Sequence, residues 1–351
     1  MSKDTFNEAN YEQAIIELFT QQLGYEYIYG PDIVRDYTEP LFLDRLQQSL
    51  LAINPALPAV AIQEAIDKIR QIDTGSLVQR NEVFTDYLQN GVDVSYFDGK
   101  EQHSACVRLI DYDHPLHNNF VVANQWSIEE HSVRRADIIV FINGLPLVVM
   151  ELKSPSRTET NVSEAYAQLR NYMQEIPSLF VYNAFCVMSD LVTSKAGTIT
   201  SGEDRFMEWK TVDGQTEDNH FANFHVLFCG MFEQERLIEI LRDFICFSKE
   251  EKQSAKILAG YHQFYAVRKA ITSVKEATTT NGKGGVFWHT QGSGKSLSMV
   301  FFAKCLQRAL SSPTIVVITD RTDLDNQLFG QFSKCADFLR QVPVQAKSRK
   351  H

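Results

Sequence analysis

Apolar residues recur every three or four positions at the start of the chain. Ala9, Ala14, Ile15, Leu18 and Phe19 define one helical face over residues 8–23, with Glu12 and Glu17 between them and Gly24 as a stop. Residues 40–72 predict two more amphipathic helices, split by Pro55 and Pro58. The middle of the chain then turns to β-branched and aromatic runs. Residues 120–122, 136–142, 145–152 and 179–188 read as strands, with a helix at 163–176 between the last two. Residues 195–220, rich in Gly, Thr, Ser and Asp, read as loop. Residues 231–275 are helical in pattern and laced with charge, which predicts a connector into a second domain. A flexible loop at 278–285, a strand at 286–290, a glycine-rich turn, a helix at 295–310 and a strand at 314–319 have the order of an opening parallel α/β domain. The expected division is a first domain over 1–228, a helical connector over 229–256 and a partial second domain over 257–351.

Composition narrows the class. A chain of 351 residues holds about two domains, and 44% hydrophobic residues suffice for a core without staples. The net charge of −10 excludes a small, uniformly basic nucleic-acid binder. It leaves room for a large enzyme with a local basic cleft. The cysteines at 106, 186, 229, 246, 305 and 335 form no Cys-x-x-Cys pair, so neither zinc nor a disulfide framework is expected. No apolar run is long enough to span a membrane, and the N-terminus lacks a signal-peptide core. The expectation is a cytoplasmic protein that makes no use of a membrane.

The sharpest local signal is the run Gln291, Gly292, Ser293, Gly294, Lys295, Ser296, between an apolar strand and a helix. Glycines let backbone N–H groups fold around a phosphate, and the helix N-terminus adds positive potential. Lys295 would reach the β- and γ-phosphates of ATP and Ser296 would ligate its Mg²⁺. The full pattern asks for a further glycine where His289 stands. Asp320 ends the very next strand and is not read as the second magnesium acid. The segment from Thr319 to Gln327 resembles motif Ia of superfamily 2 helicases, and the segment around Gln263 resembles their adenine-reading Gln motif. Only residues 297–351 follow the loop, too few for two motor domains. The sequence thus predicts weak or absent ATP binding, no hydrolysis, and a fragment of a longer protein.

The second signal joins two apolar strands through Asn143-Gly144, a strong hairpin signature. Asp137 sits at the far end of one strand, Glu151 and Lys153 at the far end of the other. Glu151 and Lys153 are two apart and share a face. With a plain two-residue loop, Asp137 would pair with Met150 and face away from Glu151. A three-residue connection or a β-bulge puts the two acids on one face, so an irregularity is predicted in this hairpin. There Asp137 and Glu151 would hold Mg²⁺, and Lys153 would orient or help deprotonate the attacking water and stabilise the scissile phosphate. Glu12, with Glu17 as its competitor, is a candidate extra carboxylate.

The order Asp, then Glu-x-Lys on the next strand, then Gln168 and Tyr172 four apart on a helix resembles the PD-(D/E)xK nucleases, with Ala136 in place of the proline. Together with the phosphate loop, the segments 119–125, 135–137, 143–146, 209–210 and 261–267 make the chain similar to the restriction subunit of type I restriction enzymes. That resemblance implies a PD-(D/E)xK fold, a mixed sheet flanked by helices, followed by the start of a RecA-like helicase domain. It implies Mg²⁺-dependent cleavage of double-stranded DNA coupled to ATP-driven translocation. It also implies assembly with modification (methyltransferase) and specificity subunits. Arg134, Arg135, Lys153, Arg157 and Arg170 are candidates for the DNA path. A nuclease–helicase of DNA repair and a non-catalytic DNA-binding module with a degenerate nuclease fold are the alternatives. A small P-loop kinase is disfavoured, because no acceptor-site chemistry follows Ser296.

Overall fold

The structure is a computed structural model and describes residues 8–153, 162–217, 224–251 and 253–346. It divides into two compact units, Met1–Arg242 and Asp243–His351. The division falls inside the expected connector.

The first unit opens with α1 (Glu8–Glu17), which runs into a single π turn (Leu18–Gln22) before Gly24. After β1 (Glu26–Tyr29) come α2 (Leu43–Ile53), α3 (Ala59–Arg70) and α4 (Leu77–Asn90). The pair β2 (Val92–Phe97) and β3 (Gln102–Val107) forms a separate antiparallel hairpin. The central strands follow as β4 (Phe120–Glu129), β5 (Val133–Ile142) and β6 (Leu145–Leu152). Then come α5 (Val162–Glu175), α6 (Pro177–Val181), β7 (Phe185–Ser189), β8 (Ser194–Gly197), β9 (Met207–Glu208), α7 (Phe224–Phe232) and α8 (Gln234–Asp243).

Seven strands build one mixed sheet in the order β1-β4-β5-β6-β7-β8-β9. β1 is parallel to β4 and β6 is parallel to β7, and the other neighbours are antiparallel. The helix α5 lies in the connection between the parallel strands β6 and β7 and packs on both. Every residue of β6 is buried, as expected for a central strand covered on both faces.

The β5–β6 hairpin carries the predicted irregularity. Its turn is the two-residue one, with Asn143 at φ 52° and Gly144 at φ 81°, which pairs Ile142 with Leu145 and Phe141 with Pro146. The register then shifts, so that Val140 faces Val148 and Ile138 faces Met150. Leu147 is the extra residue, a β-bulge, and the shifted register carries on to set Asp137 opposite Glu151. The loop is therefore not lengthened; the bulge alone changes the parity. The bulge is held by buried polar groups: the Leu147 carbonyl accepts from Ala184 N at 2.7 Å and Asn183 Nδ2 at 3.3 Å. Asn81 of α4 in turn donates to the Asn183 carbonyl and to the last carbonyls of α6.

The second unit contains β10 (Ile245–Ser248), β11 (Ala255–Leu258), α9 (Tyr261–Thr278), α10 (Lys295–Ala309), α11 (Thr322–Lys334) and α12 (Ala336–Leu339). Buried Asp243 pairs with Arg308 of α10. The expected all-helical connector is corrected here, because β10 and β11 form a hairpin in the middle of it. The stretch 179–188 is likewise not one strand: Pro177 pre-sets a helical turn through Val181, and the strand begins only at Phe185. Residues 195–220 include β8 and β9 rather than loop alone. Residues 286–290 and 314–319 pair with no strand among the described residues, and Val286 and Ile318 are almost fully exposed. Composition marks them as strands, but a strand also needs a neighbour.

Gly144 has no room for a side chain. A Cβ there would meet Leu46 N at 2.5 Å and Phe42 O at 2.6 Å, and its positive φ would strain any other residue. Gly144→Ala is expected to cost about 2 kcal/mol or more, read as a lower urea midpoint for the first unit. An unchanged midpoint would show that the turn is not seated on α2 as described.

Candidate active site

Asp137, Glu151 and Lys153 meet at the end of the bulged hairpin, on one face of the sheet. The Asp137 Oδ2 accepts from Leu152 N across the ladder at 2.8 Å. Lys153 Nζ donates to Glu151 Oε1 at 2.5 Å. Glu151 is 3% exposed, and its Oε2 is buried with no hydrogen-bond partner. Burial, then the Glu151 charge, pushes the Asp137 carboxyl up to about 8. Burial also raises Glu151, against the pull of Lys153. For Lys153, burial works against the ammonium, but the two acids outweigh it and hold it above its ordinary range. A buried carboxyl, Glu151, and a half-buried one, Asp137, thus share one ammonium. That imbalance, with an orphaned carboxylate oxygen, fits a site that takes a divalent cation.

Helix α1 supplies further acids. Its Tyr11 hydroxyl bonds Ser189 Oγ of β7 at 2.6 Å, which seats the helix on the sheet. Glu12 takes amide hydrogens from Asn124 Nδ2 at 2.5 Å and Gln125 Nε2 at 2.9 Å. Gln125 lies opposite Asp137 in the β4–β5 register and has φ 54°, a left-handed kink next to the site. Burial raises the Glu12 carboxyl, with Asn124 and Gln125 opposing. Glu17 is exposed and bonds Gln13, so it is the wrong competitor. The acid whose charge is felt at Asp137, Glu151 and Lys153 alike is Glu8, one helical turn before Glu12. The same-face spacing of four between Glu8 and Glu12 was the signal that would have found it.

Gln168 and Tyr172 come from α5. Tyr172 is buried, and its hydroxyl donates to the Arg135 carbonyl at 3.1 Å. Burial, then the Glu151 charge, raises that hydroxyl well above the usual tyrosine range. Gln168 and Tyr172, with Ser127, Val133, Arg134 and Arg135, line a cleft of about 370 Å³, and Asp137, Glu151 and Lys153 are not among its lining residues. Arg134 forks onto Glu175, and Arg170 donates to the Ile199 carbonyl at 2.8 Å. Arg135 is exposed, and Arg157 lies outside the described residues.

In the second unit, Gly292 and Gly294 adopt φ 83° and 80°, and α10 starts at Lys295 directly after them. Lys295 Nζ folds back onto the His289 and Thr290 carbonyls at 2.8 and 3.3 Å. Ser293 Oγ donates to the Thr290 carbonyl at 2.7 Å. Gln291 is exposed and Ser296 half-buried. The Gln263 amide is used at both ends: Oε1 accepts from Gly260 N at 3.0 Å and Nε2 donates to the Gly294 carbonyl at 3.1 Å. Gln263 therefore braces the glycine turn, and a Cβ at Gly294 would run into it at 2.8 Å.

Residues 5–205, the stretch that holds the acids, the bulge and α5, match the family model of the type I restriction enzyme R protein N terminus. The chain belongs to this R protein family. Residues 262–351, which include the phosphate loop, match the SWI2/SNF2 ATPase model. The chain is 39% identical, over 98% of its length, to the type I restriction enzyme HindI endonuclease subunit of Haemophilus influenzae. It is 33% identical, over 89% of its length, to the putative type I restriction enzyme MjaIXP endonuclease subunit of Methanocaldococcus jannaschii. It spans about a third of each relative: 34% of the first and 33% of the second.

In this R protein N-terminal region the acid pair costs stability when no cation is present. Folded Asp137 keeps a proton up to about pH 8, whereas in the unfolded chain it ionises around its ordinary 3.8. The folded state therefore loses stability as pH rises from about 4 to about 8. Asp137→Asn is expected to raise the metal-free Tm at pH 8 by roughly 2–4 °C, on the order of 1 kcal/mol for a unit of this size. The gain should vanish near pH 4. A Tm that falls at pH 8 would contradict the strained acid pair.

Proposed function

We propose that the first unit cleaves DNA phosphodiester bonds with Mg²⁺, as the nuclease of a type I restriction enzyme. The observation that carries this reading is the bulge at Leu147, which brings Asp137 and Glu151 to one face beside Lys153 and leaves Glu151 Oε2 unpartnered. Asp137 and Glu151 are the metal-holding pair, Glu8 adds its charge to them, and Glu12, the candidate extra carboxylate, sits beside Asn124 and Gln125. When bound, Mg²⁺ supplies a more acidic water and offsets charge on the phosphate. Lys153, anchored on Glu151 Oε1, orients the attacking water and stabilises the scissile phosphate. Gln168 and Tyr172 shape the cleft wall, and Tyr172 positions β5 through the Arg135 carbonyl. This assigns the first unit the PD-(D/E)xK nuclease architecture.

The second unit is, on this reading, the start of a RecA-like ATPase. Gln291 to Gly294 and the α10 N-terminus would cradle ATP phosphates, with Lys295 and Ser296 toward the β- and γ-phosphates and Mg²⁺. For Gln263 to read adenine it must give up one of its two backbone bonds. In the full-length protein we expect ATP-driven translocation of double-stranded DNA and assembly with modification and specificity subunits in the cytoplasm. No helix of the described residues is long and apolar enough to cross a membrane.

The test is cleavage by the full-length subunit in its complex, with ATP and Mg²⁺. Lys153→Ala and Glu151→Gln should each lower double-strand cleavage by about 10²–10³-fold, while DNA binding and ATP hydrolysis persist. Undiminished cleavage in both variants would overturn the assignment. A parent complex that binds DNA but never cuts it would favour the non-catalytic module.

A further inference from the structure

A second side-chain cluster lies in the loop between β3 and β4, away from the acid pair. Asp111, His114 and His117 present one ligand atom each, all within 4.8 Å of one another. Sequence and local geometry bring them together. His114 caps the 3₁₀ turn Pro115–His117, and Pro115 fixes its first residue. Residues three apart on a 3₁₀ turn eclipse, so the two imidazoles stack, with ring centroids 4.9 Å apart and 20° between planes. Asp111 is held in place from one side. Its Oδ1 accepts from the backbone N–H groups of Asp113 and His114 at 3.1 and 3.0 Å. Its Oδ2 is left facing both rings, 3.3 Å from His117 Nδ1 and 3.6 Å from His114 Nδ1.

His117 Nδ1 makes a long hydrogen bond to Asp111 Oδ2 at 3.3 Å, whereas His114 Nδ1 at 3.6 Å makes none. Ligand atoms around a tetrahedral ion with bonds of about 2.0–2.1 Å lie about 3.3 Å apart. The Asp111 side chain is 10% exposed, while His114 and His117 are 68% and 66% exposed. The cluster is thus an anchored carboxylate under two accessible imidazoles. Two imidazoles and one carboxylate are the donor set of a borderline divalent metal, not of Mg²⁺.

We propose that Asp111, His114 and His117 bind a zinc-class divalent transition ion, with water in the fourth position. The ion would clamp residues 111–117. That loop is tied to the active-site hairpin: Asn118 Oδ1 accepts from Asp111 N at 2.8 Å and from Asn143 Nδ2 at 2.7 Å. Asn143 Nδ2 also donates to the Leu109 carbonyl at 2.9 Å. The bound ion therefore stiffens the loop that holds the Asn143-Gly144 turn.

Cobalt(II) alone, added to the metal-free protein, is the probe. One equivalent should give the intense visible absorption of a low-coordinate nitrogen–oxygen cobalt site, and zinc should bleach it. The band should survive Glu151→Gln and vanish in His114→Ala/His117→Ala. Both rings are exposed, so the double variant should keep the parent's Tm in chelator, and His117→Gln alone should weaken binding at least tenfold. A parent without the band, or a double variant that keeps it, overturns the proposal.

Discussion

One extra residue decides what this hairpin can do. In a strand pair the side-chain period is two, so a shift of one position exchanges the faces. Leu147 supplies that shift midway along β6, and Glu151 comes to face the same side as Asp137. The rest of the first unit supports the irregularity. Asn183 and Ala184 satisfy the Leu147 carbonyl, Asn81 fixes Asn183, and the Gly144 turn is pressed against α2. These groups are buried, where an unpaired polar atom is costly, so the bulge is specified rather than tolerated.

The consequence is a concentration of acidic groups in a poorly solvated place. Glu151, Asp137 and, from α1, Glu8 act together on one lysine. Such an arrangement reduces stability unless a cation balances it, the usual trade between stability and activity. The bonds from Asn124 and Gln125 keep Glu12 at the edge of this field, and the left-handed backbone at Gln125 is the local cost. In the second unit the phosphate loop is already shaped by Gly292 and Gly294. Its lysine and the Gln263 amide rest on backbone carbonyls of the loop itself.

Much of this was legible in the sequence because it rests on local rules. The Asn143-Gly144 turn, the need for an irregularity, the α5 register of Gln168 and Tyr172, and the glycine turn before α10 each follow from a few neighbouring residues. What escaped depends on distant partners. The hairpin of β2 and β3 and the helix α4 were not foreseen, and the position of the bulge depends on Asn183, more than thirty residues later. Glu8 matters only because Tyr11 seats α1 on β7. Residues 286–290 and 314–319 have strand composition, yet pair with no strand among the described residues. Pro177 and the β10–β11 hairpin broke two longer readings by turning the chain where apolar content alone suggested continuity.

The most direct measurement is a crystal of the protein soaked in Mn²⁺ and examined by anomalous diffraction. The expected result is an anomalous peak between the Asp137 and Glu151 carboxylates, with the β5–β6 register shifted at Leu147. A hairpin without the shift, with the two side chains on opposite faces and no manganese between them, would contradict it.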